Sequence, residues 1–174
     1  MNRIMIIGCS GAGKSTFARK LHAITKIKLI HLDQYFWQPN WVKTETIAWK
    51  EIVYRLTKQP TWIMDGNYGG TMDIRMKRAD TIIYLDYPTW TCLWRVTNRT
   101  FKNWGKRRFD MPNGCEERFD LKFFHYVATF NHLRRKKLLN KLNQCNEEKK
   151  IFVFRNDKQA NRFLENLPIG EKKE

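Results

Sequence analysis

The chain has 174 residues, 42% of them apolar, which is enough for one domain with a substantial core, so we expect a single domain over 1–174. Its 33 Lys and Arg against 17 Asp and Glu give a net charge of +16, which favours anionic ligands without choosing among nucleotides, phosphorylated metabolites, nucleic acid and acidic membranes. The sequence has no C-x-x-C pair, which argues against a zinc site. It has neither a signal-peptide core nor an apolar stretch of membrane length, so we predict a soluble, cytoplasmic protein with no membrane partner.

Short apolar runs and amphipathic segments alternate along the chain. The apolar runs predict buried strands at 4–7, 28–32, 62–64, 81–85 and 151–154. Segments with apolar residues on one face predict helices at 14–23, 44–58, 89–104, 121–142 and 158–167. A polar loop is expected over 105–117, and residues 170–174 are expected to fray.

This alternation predicts a three-layer α/β fold. Right-handed βαβ crossovers give a mostly parallel sheet with helices on both faces. Ligands of such folds bind at the carboxyl ends of the strands. The polar residues just past the predicted strands are therefore the candidates for a site: the segment after the first strand, then Asp33, Asp65 and Asp86.

The segment from Gly8 to Ser15 matches the phosphate-loop pattern G-x-x-x-x-G-K-[ST] in full. Its glycines let successive backbone amides point at phosphate oxygens, Lys14 adds a positive charge near the β- and γ-phosphates, and the Ser15 hydroxyl can bind Mg²⁺. An ordinary glycine-rich turn is the alternative, but a strand before the segment and a helix after it favour an ATP and Mg²⁺ site. The predicted nucleotide-binding residues are Gly8, Cys9, Ser10, Gly11, Ala12, Gly13, Lys14, Ser15 and Thr16.

Further motifs follow this loop in a fixed order. They are His-Leu-Asp at 31–33, Trp-Gln-Pro-Asn-Trp at 37–41, Asp-Gly-Asn-Tyr at 65–68, Ala-Asp-Thr-Ile-Ile-Tyr-Leu-Asp at 79–86, Trp-Arg at 94–95 with Arg-Thr at 99–100, and Gly-Cys-Glu-Glu-Arg-Phe-Asp-Leu at 114–121. As an ordered set covering most of the chain, they resemble the adenylate-kinase-like P-loop kinases. Within that group they look like the bacterial DNA topology modulation proteins, also called FlaR-related.

The resemblance implies a five-stranded parallel sheet, a P-loop NTPase fold and phosphoryl transfer from ATP. Asp65 resembles the Asp-Gly element of nucleoside monophosphate kinases and would lie near Mg²⁺; a turn aspartate is the alternative. Asp33 occupies the position at which small-molecule kinases of this group hold the acceptor hydroxyl, and a helix or turn cap is its alternative. Asp86, which precedes Tyr87 and a proline, is expected to be structural rather than catalytic.

The chain also departs from adenylate kinases. Its acceptor-binding segment, about 34–60, holds about one predicted helix, which is shorter than the insertion those enzymes need. Their Gly-Phe-Pro-Arg turn is replaced by Gly66, Asn67 and Tyr68, so a phosphate-gripping arginine is missing there, although Arg75 lies nearby in sequence. Adenylate is therefore not expected as the acceptor, and the proportions are closer to those of shikimate or gluconate kinases.

A basic segment over about 95–120 is the expected lid. Arg95 and Arg99 lie one helical turn apart and are predicted to reach the transferred phosphoryl group, with Arg107 and Arg108 as further candidates; a solvated basic face is the alternative. The basic run at 134–137 is expected to be plain surface. Aromatic residues between these charges could stack bases, but their helical spacing favours a core face.

Two functions follow from these observations. The first is a Mg·ATP-dependent phosphotransferase for a small hydroxyl- or phosphate-bearing acceptor. The alternative is an ATP-binding, nucleic-acid-associated protein that affects DNA topology, in line with the high positive charge. We favour the first because the sequence contains no helix-turn-helix, zinc-finger or RNA-binding signature.

Overall fold

The computed structural model describes residues 1–145 and 148–168, so the fraying predicted for 170–174 lies outside the described residues. Their strands are β1 (Arg3–Gly8), β2 (Leu29–His31), β3 (Trp37–Gln38), β4 (Val42–Lys43), β5 (Trp62–Asp65), β6 (Thr81–Leu85) and β7 (Lys150–Phe154). Their helices are α1 (Lys14–Thr25), α2 (Asp33–Phe36), α3 (Thr46–Thr57), α4 (Met72–Arg78), α5 (Thr89–Lys102), α6 (Leu121–Phe130), α7 (Lys136–Asn143) and α8 (Asp157–Glu165). Each predicted strand and helix is present within a few residues of its expected ends.

Five of these strands form one parallel sheet in the order β2–β5–β1–β6–β7. The register pairs Ile6 of β1 with Asp65 of β5 on one side and with Ile83 of β6 on the other. The carboxyl ends of the central strands therefore lie side by side at one edge. This arrangement confirms the predicted parallel sheet.

Alternate residues of β1 pack into two separate cores. Ile4 and Ile6 pack with side chains of α1, α5, α6 and α8, whereas Met5 and Ile7 pack with side chains of α3, α4 and α7. All four side chains are fully buried. Because helices cover both faces of the sheet, its carboxyl edge is where a ligand can reach the strands.

Sequence periodicity did not reveal four short elements. Helix α2 has four residues, and β3 and β4 form a two-residue antiparallel ladder, so each is shorter than the window in which a period can be recognised. Helix α4 has seven residues and follows two glycines. The segment predicted to bind the acceptor thus contains a small hairpin and α2 as well as the expected helix α3.

The long helix predicted over 121–142 is present, but its middle turn is a π-helix over Asn131–Arg135. Its first part contributes Val127 and Phe130 to one core, and its last part contributes Leu138 to the other. The helix therefore passes across the carboxyl edge of the sheet. Among the described residues, no helix is long and apolar enough to cross a membrane.

Candidate active site

The phosphate loop leaves β1 in a conformation that requires glycine. Gly8, Gly11 and Gly13 have φ angles of 147°, 86° and 89°. A Cβ atom on Gly8 would lie 2.6 Å from the carbonyl oxygen of Leu85, and one on Gly11 would lie 2.3 Å from that of Cys92. The loop is therefore pressed against β6 and α5, and only a backbone without side chains fits there.

Helix α1 opens directly onto this loop. It begins at Lys14, its first turn has no acidic residue, and no side chain caps its N-terminus. The Lys14 ammonium donates a hydrogen bond to the carbonyl of Cys9 at 3.0 Å, which holds the charge over the loop. An uncapped helix N-terminus and a lysine beside a glycine-rich loop together form a site that fits the phosphates of a nucleotide.

Asp65 ends β5 beside the phosphate loop and is buried. Its Oδ2 lies 3.0 Å from Nδ1 of His31, whereas its buried Oδ1 has no hydrogen-bond partner among the described residues. A buried carboxylate oxygen without a donor fits a cation. The described residues contain no group of three or more His, Cys, Asp and Glu side chains arranged around a metal, but Mg²⁺ commonly takes most of its ligands from phosphates and water.

Asp33 is the first residue of α2 and is half-buried. The Tyr68 hydroxyl donates a hydrogen bond to it. Burial raises the pKa of Asp33 and the charges of Asp65 and Asp110 raise it further, whereas the hydrogen bond from Tyr68 and the charge of Arg108 oppose the rise. These groups can influence one another only because they share one cleft. A carboxylate with a raised pKa is also a stronger proton acceptor.

The loop after β5 is built around Arg75, which is completely buried. Its guanidinium donates to the carbonyls of Gly66 and Tyr68, both at 2.8 Å. Burial lowers the pKa of Arg75 to about 10. Arg75 therefore fixes the loop and does not replace the missing phosphate-gripping arginine. Within the same loop, the side-chain amide of Asn67 donates a hydrogen bond to the Tyr126 hydroxyl of α6 at 3.2 Å.

The two predicted lid arginines face different partners. Arg95 pairs with Asp157 of α8 and lies over the ring of Tyr87. One of its terminal nitrogens would be 3.7 Å from a Cβ on Gly13, which places the guanidinium against the phosphate loop. Arg99 instead pairs with the buried Glu117 at 3.2 Å.

A buried chain of polar contacts runs from the lid to the phosphate loop. Glu117 accepts hydrogen bonds from Thr100 and from Arg108, both at 3.0 Å. Arg108 also donates to Asp110 at 2.9 Å, and Asp110 accepts a hydrogen bond from the Ser15 hydroxyl at 3.0 Å. Burial acts to raise the pKa of Asp110, but the charge of Arg108 and the hydrogen bonds from Ser15 and Arg108 outweigh it, so the pKa lies below its usual value.

Sequence reasoning assigned no role to Asp110, and it included Glu117 only as part of the motif at 114–121. The signal that could have found them is their position, because they are acids inside a stretch that is otherwise strongly basic. The buried guanidiniums of that stretch need such partners. Of the two loop candidates, Arg108 takes part in this network, whereas Arg107 is exposed.

The segment predicted to be the lid also contacts the hairpin formed by β3 and β4. The Trp41 indole donates a hydrogen bond to the carbonyl of Glu116 at 3.0 Å. The backbone amide of Asn40 donates one to the carbonyl of Gly114 at 2.7 Å. Asn40 and Trp41 both have positive φ angles, 62° and 61°, which is unfavourable for residues with side chains. Gln34 adds a hydrogen bond to the carbonyl of Phe109 at 3.0 Å. These contacts close the lid over the cleft.

The basic run at 134–137 is not all plain surface, as the π-helical turn changes the direction of its side chains. Arg135 binds both carboxylate oxygens of Asp86 at 2.7 Å, and Tyr84 donates to the same carboxylate at 3.0 Å. Asp86 thus has a full set of structural partners. Arg134 lies 4.8 Å above the ring of Tyr126.

No family model and no curated protein matches the chain. A shikimate kinase from Acinetobacter baumannii in complex with shikimate has a similar structure, with a TM-score of 0.60 and 14% identity, covering 95% of this chain and 89% of that chain. A sugar kinase from Janibacter sp. HTCC2649 gives a TM-score of 0.53 and 14% identity, covering 95% and 91%. A deoxyadenosine kinase from M. mycoides with the products dCMP and dCDP gives a TM-score of 0.51 and 16% identity, covering 93% and 94%.

At these identities the likeness concerns the fold. The chain has the fold of small-molecule P-loop kinases, with the predicted five-stranded parallel sheet. The comparisons do not show the finer resemblance to DNA topology modulation proteins.

Proposed function

We propose that the protein is a phosphotransferase that moves the γ-phosphoryl group of Mg·ATP to a small acceptor. The observation that carries the proposal is the phosphate loop. Its three left-handed glycines, Lys14 and the open end of α1 lie at the same sheet edge as the carboxylates of Asp33 and Asp65. A phosphate cradle beside paired carboxylates is the arrangement that positions a nucleotide, its metal and a nucleophile together.

Each part of the cleft has a role in this proposal. The backbone from Gly8 to Thr16 and the Lys14 ammonium bind the phosphates of ATP. Ser15 and Asp65 bind the metal, and Mg²⁺ would supply charge that neutralises the phosphate oxygens. Asp33 orients the acceptor hydroxyl and accepts its proton.

Three arginines are candidates for stabilising the charge on the transferred group. Arg95 lies against the phosphate loop, and Arg99 is held one helical turn away by Glu117. Arg108 lies between the two sides of the cleft, because it bonds Asp110 on the donor side and its charge acts on Asp33. An arginine in that position can stabilise developing charge during transfer.

The same geometry favours a hydroxyl acceptor over a phosphate-bearing one. Arg75, the arginine nearest in sequence to the expected phosphate-gripping position, is buried against backbone carbonyls. Two of the similar structures hold shikimate and dCMP, so hydroxylated ring compounds and nucleosides are the first acceptors to test. The nucleic-acid-associated alternative is not favoured, because the similar structures are of kinases of small molecules.

The test is a screen for acceptor-dependent formation of ADP from Mg·ATP. The panel contains nucleosides, nucleoside monophosphates, sugars and hydroxylated ring acids, and phosphorylated products are identified by mass spectrometry. We expect at least one hydroxyl compound to raise ADP formation well above the rate with water. A protein that does not bind Mg·ATP in calorimetry would overturn the proposal.

A further inference from the structure

The lid places a buried carboxylate beside the phosphate loop, on the side of the cleft proposed to bind ATP. Asp110 lies in the segment between α5 and α6, and only 7% of its surface is exposed. Its Oδ2 accepts a hydrogen bond from the Ser15 hydroxyl at 3.0 Å, and its Oδ1 accepts one from Nε of Arg108 at 2.9 Å. Neither the phosphate-loop motif nor the fold requires an acid from the lid at this hydroxyl.

The distance between these two oxygens has a specific meaning for a metal. Mg²⁺ binds oxygen at about 2.1 Å in an octahedron, so neighbouring ligand oxygens stand about 2.9 Å apart. Ser15 Oγ and Asp110 Oδ2 are separated by 3.0 Å. The pair therefore already has the spacing of two adjacent octahedral ligands, which fits a cation in place of the hydrogen bond.

A second observation points to a cation at the same edge. Asp65 is 5% exposed, and its Oδ1 is buried with no hydrogen-bond partner among the described residues. Burying an ionised oxygen without a partner is costly unless a ligand compensates it. Oxygen donors from three separate elements, the phosphate loop, β5 and the lid, thus lie at the carboxyl edge of the sheet where a nucleotide's metal would bind.

We infer that Asp110 is a metal-binding residue carried by the lid, so that the lid closes over the metal and not over the nucleotide alone. The inference rests on the proposed function, and it concerns a divalent cation that prefers oxygen ligands, such as Mg²⁺ or Mn²⁺. Only Oδ2 faces Ser15, so the contact from Oδ1 to Arg108 persists when a cation is bound. Metal binding then also fixes Arg108, which lies between the proposed ATP site and Asp33.

The first test measures Mn²⁺ affinity in the complex with ADP, which is unreactive. Free Mn²⁺ is followed by electron paramagnetic resonance in wild type, Asp110→Asn and the control Glu116→Gln, whose side chain is an exposed acid of the same lid. We expect Asp110→Asn to bind Mn²⁺ about tenfold or more weakly, the scale of a lost ligand or ligand partner, and Glu116→Gln to match wild type. Equal or tighter Mn²⁺ binding by Asp110→Asn overturns the inference, since tighter binding means that the carboxylate only blocks the metal.

The second test needs no variant, so it remains informative if Asp110→Asn folds poorly. Hydrogen exchange of the lid amides, about 105–118, is compared in wild type with ADP alone and with ADP plus Mg²⁺. We expect slower exchange only when the metal is present, and equal exchange in both states overturns the inference. Failure of ADP to bind with or without metal would instead contradict the proposed function. A failure of the proposed function can therefore be distinguished from a failure of the metal-binding role of Asp110.

Discussion

The phosphate loop and the lid form opposite walls of one cleft, and they are built in different ways. The loop is a contiguous backbone structure whose glycines contact the carbonyls of Leu85 and Cys92 directly. The lid is held by side-chain contacts centred on Glu117 and Asp110, of which the bond from Ser15 to Asp110 joins it to the phosphate loop. The phosphate loop is thus fixed by local chain geometry, whereas the position of the lid depends on buried charges that must stay paired.

This difference has a consequence for substitutions. Changing a side chain on the loop should remove a function and leave the fold, because backbone and sheet hold the loop in place. Changing a buried lid carboxylate should affect stability and function together, since the same contacts serve both. The following predictions test this contrast.

Lys14→Ala should have the largest effect on activity. The ammonium bonds only the loop carbonyl of Cys9 in the structure, so its loss should leave the fold unchanged. Turnover should fall by about 10³-fold or more, the scale of a lost charge contact to the transferred group. Calorimetry measures the affinity for Mg·ATP, and a thermal melt shows whether the variant keeps its fold. Lys20→Ala on the same helix, whose ammonium bonds Asn161, is the control and should keep its activity. A folded Lys14→Ala protein with normal Mg·ATP affinity contradicts the assignment of the loop.

Asp33→Asn should separate acceptor chemistry from nucleotide binding. We expect Mg·ATP affinity to stay the same and acceptor-dependent turnover to fall by about 10²-fold, the scale of a lost general base. Steady-state kinetics and nucleotide calorimetry measure the two effects. Loss of Mg·ATP binding in this variant would place Asp33 at the metal and not at the acceptor.

The same variant gives a pH-dependent change in stability. The folded-state pKa of Asp33 lies above its ordinary value of 3.8, so ionising the group costs stability as the pH rises above that value. Asp33→Asn removes this cost. The variant should therefore be more stable than wild type at neutral pH, and the difference should shrink as the pH falls toward 3.8. Urea unfolding between about pH 4 and pH 7 measures it, and a less stable variant at neutral pH would contradict the sign.

Glu117→Gln should weaken the lid. The amide keeps the volume but removes the charge that faces Arg99 and Arg108, so we expect a loss of about 2 kcal/mol in the free energy of unfolding. Denaturant unfolding measures the loss. Glu116→Gln, one residue away and exposed, should change stability by less than about 0.5 kcal/mol. Equal effects of the two substitutions would mean that the buried network does not hold the lid.

Arg95→Ala should have a smaller effect on stability than Glu117→Gln. Its partner Asp157 is 61% exposed, and an ion pair of that kind contributes less than about 1 kcal/mol. Because the guanidinium lies against the phosphate loop, turnover should still fall by about tenfold for every acceptor. Arg99→Ala provides the contrast, since its buried pair with Glu117 makes a stability loss the larger effect. Unfolding and kinetics of the two variants test whether Arg95 is functional and Arg99 structural.

The sequence predicted the sheet and the phosphate loop because their signals are local. Apolar runs and the pattern from Gly8 to Ser15 are contiguous, and the structure places them as expected. The sheet also brings Asp65 beside the loop, because parallel strands end at one edge.

The lid network could not be predicted in the same way. Asp110 meets Ser15 across 95 positions of sequence, and no periodicity reports such a contact. The direction of Arg135 depends on a π-helical turn, which a helical pattern does not reveal. The role of Arg75 was equally hidden, as a basic residue four positions into a short helix gives no sign of complete burial.

Arg75 also limits how acceptor choice can evolve or be engineered in this protein. Both of its hydrogen-bonding arms are committed to the carbonyls of Gly66 and Tyr68. A substitution of Arg75 removes both hydrogen bonds that hold the loop after β5, so we expect it to disturb that loop before it can alter selectivity. New acceptor preferences are therefore more accessible through the exposed Val42 and Lys43 of the hairpin than through the loop that follows β5.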